Sequence, residues 1–236
     1  SYGTRLGLQM MAEHPEGIRS VVLDSTYPAG AKVFTDAPVD AYRAFRAIFD
    51  ACAADPSCNS KYPDLDAKLG EVINKLNADP LKVRRVTSDG ELEPFQFTGA
   101  DFAQFLFSAS YVADAIRYIP QAITLSANGK TLQGLNLVAD ALPSIVITPE
   151  KDVSNRRPSQ SDGQWPEFER LSRSVQPQPR SSQSDGLHFT VQCAEEGPNA
   201  TAEELDARSA EIPEPLKSAL LKNAKQNLEV CQKWKV

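Results

Sequence analysis

The chain has 236 residues, with 25 Lys and Arg against 31 Asp and Glu, a formal net charge of −6 and 41% hydrophobic residues. That acidic balance argues against nucleic-acid binding, which needs a surplus of basic side chains to neutralise phosphates. No run of roughly 18 apolar residues is present to span a bilayer, and the length suits one large domain or a domain with a cap.

The chain opens Ser1-Tyr2-Gly3, which reads as the second half of a G-x-S-x-G nucleophile elbow. Leu6, Met10 and Met11, with the small Gly3, Gly7 and Ala12, predict a helix over about residues 3 to 14, stopped by Pro15-Glu16-Gly17. Ile18, Val21, Val22 and Leu23 then form a near-continuous apolar run, the pattern of a buried parallel strand over about 19 to 24. Pro28-Ala29-Gly30 breaks the pattern, and helical periodicity dominates afterwards. Tyr42, Phe45, Ile48, Phe49 and Cys52 repeat at helical spacing. Asp64 is placed to N-cap a helix striped by Leu65, Leu69, Val72, Ile73 and Leu76.

Lys82 to Ser88 and Glu91 to Phe97 flank Asp89-Gly90, a hairpin-turn dipeptide. Thr98 with Asp101 resembles a capping box ahead of an aromatic helix carrying Phe102, Phe105, Phe107 and Tyr111. A break at Pro120 and a turn at Asn128-Gly129 follow. From Pro149 to Gly186 the sequence turns polar, which predicts a mobile excursion with a short helix. Thr201 with Glu204 forms a second capping box, and Leu216, Leu220, Leu221, Ala224, Leu228, Cys231 and Trp234 mark one face of a last helix.

Three stretches carry a family resemblance: Ser1 to Pro28, Cys52-Ala-Ala-Asp-Pro-Ser-Cys58 with Tyr62-Pro63-Asp64-Leu65, and Asp185-Gly186-Leu187-His188-Phe189-Thr190-Val191-Gln192-Cys193-Ala194-Glu195-Glu196. They resemble α/β-hydrolases of the prolyl aminopeptidase and secreted tripeptidyl aminopeptidase type. The resemblance implies an α/β fold in which residues 1–30 are part of the hydrolase core. Residues 31–236 would then be a mainly helical cap, with the polar excursion at about 149–186. It further implies an exported serine hydrolase that releases short peptides from free N-termini through a Ser acyl-enzyme, without metal or cofactor. Ser1 would be the nucleophile, the Tyr2 N–H an oxyanion donor, and Glu195 and Glu196 the anchors for a peptide substrate's ammonium.

Neither histidine suits a general base. His14 lies about 20 Å along the helix from Ser1, and His188 sits in a strand-like run. Asp24 and Asp152 are the acids that could be considered, and the resemblance assigns Asp24 no catalytic role. The resemblance therefore implies an internal piece of a larger hydrolase, partnered by its own missing N- and C-terminal parts and inactive alone. An esterase or lipase on the same fold, and a non-catalytic binding or structural module, are the competing readings.

The four cysteines permit three pairings, of which Cys52 with Cys58 and Cys193 with Cys231 is favoured. No His stands nearby at zinc-ligand spacing, so two disulfides in an exported, extracytoplasmic protein are expected.

Overall fold

A computed structural model describes residues 2–28, 30–86, 92–139, 148–149, 185–195 and 200–234. Its helices are α1 (Tyr2–Glu13), α2 (Val33–Ala54), α3 (Pro56–Lys61), α4 (Leu65–Ala78), α5 (Gly99–Ala109), α6 (Ala113–Ile116), α7 (Ile119–Ala127), α8 (Thr131–Ala139), α9 (Asp185–Glu195), α10 (Ala202–Arg208) and α11 (Leu216–Lys233). The strands β1 (Leu81–Val86), β2 (Leu92–Phe97) and β3 (Thr148–Pro149) form an antiparallel sheet in the order β2-β1-β3. Pairing of Leu81 with Phe97 and of Val86 with Leu92 sets the hairpin register. The expected turn at Asp89-Gly90 and residues 150–184 of the excursion expected at about 149–186 lie outside the described residues, while Pro149 ends β3 and Asp185 and Gly186 begin α9.

The architecture is predominantly helical with a minor antiparallel sheet, which corrects the α/β-hydrolase fold and the family assignment. A hydrolase core needs a mostly parallel sheet beneath the elbow, and every strand pair among the described residues is antiparallel. The strand expected over 19 to 24 is likewise absent. Strand backbone must be paired, and no strand among the described residues meets this run, in which Val22 is 95% exposed.

Where the sequence is periodic, the core follows it. Phe45, Phe49 and Cys52 of α2 and all five apolar stripe residues of α4 are buried, together with Phe102, Phe105 and Leu106 of α5. They share one cluster with Ile119 and Ile123 of α7, Leu135 and Val138 of α8, and Leu216 and Leu220 of α11. A second cluster joins Phe34 and Leu205 to Leu221, Ala224 and Leu228. Neither cluster includes a residue before Val33.

Helix ends show how local chemistry was read and misread. Thr98 and Asp101 make a reciprocal capping box at α5. Thr201 accepts from the Glu204 N–H at 3.1 Å, while the Glu204 carboxylate takes the Lys32 ammonium at 2.6 Å and ties α10 to the start of α2. Asp64 makes no capping hydrogen bond: it lies in the left-handed region at φ 58°, where the chain turns into α4. Asp55 does cap, accepting from the N–H groups of Ser57 and Cys58.

Two helix contacts depend on the lack of a side chain. A Cβ on Gly99 would come within 2.4 Å of the Ile73 carbonyl oxygen and 2.8 Å of the Ile73 Cα. One on Gly134 would meet the Ala122 carbonyl oxygen at 2.6 Å, where α7 and α8 cross. Both obstacles are backbone and cannot rotate away. Gly99→Ala is therefore expected to destabilise the protein by about 1 to 3 kcal/mol through overpacking, measured as a fall in the urea midpoint. An unchanged midpoint would show that α4 and α5 can part without cost.

Candidate functional site

Helix α9 carries the acidic motif singled out in the sequence. The Gly186 to Val191 run is helical rather than strand-like, because its anchors lie at helical spacing. Thr190 and Cys193, three residues apart, meet Trp234 and Cys231, also three apart, at the end of α11. The Trp234 indole N–H donates to Thr190 Oγ1 at 3.2 Å, and Cys193 forms a disulfide with Cys231. Phe189 packs beside the Trp234 ring, with centroids 6.2 Å apart. A second disulfide joins Cys52 to Cys58 across the α2–α3 corner, so the pairing is the one favoured from the sequence.

Glu195 is the last residue of α9, the helix end at which backbone carbonyls disfavour a negative charge. Arg5 of α1 offsets that charge: its Nε lies 3.6 Å from the Glu195 carboxylate. The Arg5 side chain is 19% exposed and that of Glu195 33%, so the pair opens to solvent and contributes less than about 1 kcal/mol. The Arg5 guanidinium also stands 5.1 Å from the Tyr27 ring centroid. Tyr27 is fixed in turn by α1, its N–H donating to Thr4 Oγ1 at 2.9 Å, and that hydroxyl donates to the Ser25 carbonyl at 3.4 Å. Arg5, Tyr27 and Glu195 thus form a charged and aromatic junction of α1 with α9, braced by the disulfide to α11.

Of the residues proposed from the sequence, the structure brings only Glu195 into this junction. Ser1 and Glu196 lie outside the described residues, as does Asp152. Tyr2 is the first residue of α1, with its backbone at the N-terminal end of that helix. His14 is exposed beyond the end of α1, and Asp24 accepts from the Ser25 hydroxyl at 3.3 Å. The described residues form a mainly helical fold without the α/β-hydrolase core, triad or nucleophile elbow expected of a serine peptidase, which corrects the serine hydrolase and peptidase readings. The esterase alternative falls with them, since it needs the same core. Arg5 and Tyr27 were missed because 190 positions separate Arg5 from Glu195, and no local spacing signals their meeting.

Two clefts accompany the junction. One of about 310 Å³ lies beside α2 and α4, where Arg46 pairs with both Asp50 and Asp66. The hydrogen bond to Asp66 raises the Arg46 pKa above its ordinary value. The other, about 240 Å³ between α2, α5 and α11, is apolar apart from amides such as Asn223, whose side chain donates to Gln104 at 3.0 Å.

No family model matches this chain, and neither the known proteins nor the solved structures compared with it give a match. No helix among the described residues is long and apolar enough to cross a membrane, and the two disulfides are consistent with an oxidising, extracytoplasmic setting.

Proposed function

We propose that this chain is a secreted, non-catalytic binding module that holds a peptide through the acidic end of α9. One observation carries the reading: a disulfide fixes the helix bearing Glu195 onto α11, and its carboxylate is turned toward Arg5 while still reaching solvent. A rigidly held carboxylate beside a guanidinium offers both halves of a peptide terminus a partner, Glu195 for the ammonium and Arg5 for a main-chain carbonyl. A braced site avoids part of the ordering cost of binding. The absence of a triad among the described residues supports binding without turnover.

Calorimetric titration of a free-amine tripeptide and its N-acetylated form tests this. The free-amine peptide should bind more tightly, and Glu195→Gln should remove about two- to fivefold of that preference, the scale of a half-exposed charge pair. The same comparison on Glu196→Gln assigns the contact between the two carboxylates. Equal binding of both peptides by the unmodified chain would overturn the site, and release of product from either would overturn the non-catalytic reading.

A further inference from the structure

The segment Arg19-Ser20-Val21-Val22-Leu23-Asp24 has the composition of a buried strand and the exposure of a surface loop. Five of its six residues are exposed. Val21 is 43% exposed and Val22 95%, whereas Leu23 is half-buried, with its Cδ2 near 3.3 Å from where a Cβ on Gly7 of α1 would stand. Leu23 therefore rests against α1 while the residues on either side of it stay free. No backbone hydrogen bond ties residues 19 to 24 to any strand, and Arg19 has no ion-pair partner among the described residues.

We propose that this segment is a self-complementary edge through which two copies of the chain pair antiparallel about Val22. The charge pattern selects that occupant. Arg19 sits at one end of the segment and Asp24 at the other, so antiparallel pairing brings opposite charges together and parallel pairing brings like charges together. A two-fold axis through the pair sets Val22 opposite its own copy, Val21 opposite Leu23, and Ser20 opposite Asp24, whose carboxylate can accept the serine hydroxyl. Apolar residues then meet apolar ones, polar meet polar, and Arg19 reaches the Asp24 end of the other copy. Leu6 and Met10, four apart on α1 and 53% and 51% exposed, widen the apolar surface beside the ribbon. An isologous contact of this kind closes at two copies. Six residues a side make a small interface, which fits a weak, concentration-dependent dimer.

Sedimentation velocity of the unmodified chain from about 5 to about 500 µM should show a monomer shifting toward a dimer, in the range of weak interfaces. Val22 is so exposed that charged substitutions there leave the fold intact, as circular dichroism would verify. Val22→Lys alone and Val22→Glu alone should each weaken the dimer at least about tenfold, because a residue on the axis meets its own charge. An equimolar mixture of the two variants should recover it by setting Lys opposite Glu. A chain that stays monomeric throughout, a dimer indifferent to Val22→Lys, or a mixture that fails to recover association would each overturn the proposal.

Discussion

Replacing Cys193 and Cys231 together by alanine is expected to lower the unfolding free energy by about 4 kcal/mol in the chain-entropy account of cross-links. The bridge spans 38 positions, whereas that of Cys52 and Cys58 spans 6 and should contribute about 2 kcal/mol on the same account. For a chain of this size the larger loss corresponds to a fall of about 8 to 16 °C in melting temperature. The fall has a local origin as well. Among the described residues α9 adds nothing to either apolar cluster, so the disulfide, the Trp234–Thr190 hydrogen bond and the Phe189–Trp234 contact hold it to α11. Calorimetric melting of the two double variants side by side decides the matter. A greater loss from the Cys52 and Cys58 variant would show that loop length does not set the stabilisation.

Phe102→Ala should cost about 3 to 5 kcal/mol, the cost of emptying a well-packed aromatic site. The Phe102 side chain is fully buried, and α5 packs against both α4 and α11, so the cavity would open where three helices meet. Met10→Ala on α1 is the matched control, since a half-exposed side chain outside both clusters should change stability by no more than about 0.5 kcal/mol. Urea unfolding with an unchanged slope would report the difference as a change in midpoint alone. Comparable losses for the two variants would contradict the placement of the core.

The contrast between those residues also explains what the sequence could reveal. Leu65, Leu69, Val72, Ile73 and Leu76 were readable because a helix satisfies its own backbone, so apolar spacing maps directly onto the buried face. Residues 18 to 23 were misread for the converse reason. A β-branched run states a preference for pairing, but a strand is completed only by a neighbour, and no described segment supplies one. Gly186 to Val191 failed differently: its composition favours a strand, yet Thr190 and Cys193 have partners at helical spacing on α11, and those anchors outweigh propensity.

The family resemblance failed for a related reason. Ser1-Tyr2-Gly3 and Cys193-Ala194-Glu195-Glu196 are short motifs that carry no information about the sheet a hydrolase requires. At the candidate site, the residue type and position of Glu195 were legible, but its partner Arg5 was not. Their meeting is a product of tertiary closure alone.

The bridge between α9 and α11 has a mechanical side. Tension applied to the two ends of the chain would pass through the Cys193–Cys231 sulfurs and leave the residues between them slack, since the covalent short cut carries the load. At about 3.4 Å per extended residue, a tether of roughly 130 Å is withheld from the stretched length. The helices α10 and most of α11 lie inside that protected loop. A pull that unravels α1, α2 and the hairpin would therefore reach the acidic end of α9 with its link to α11 still unbroken.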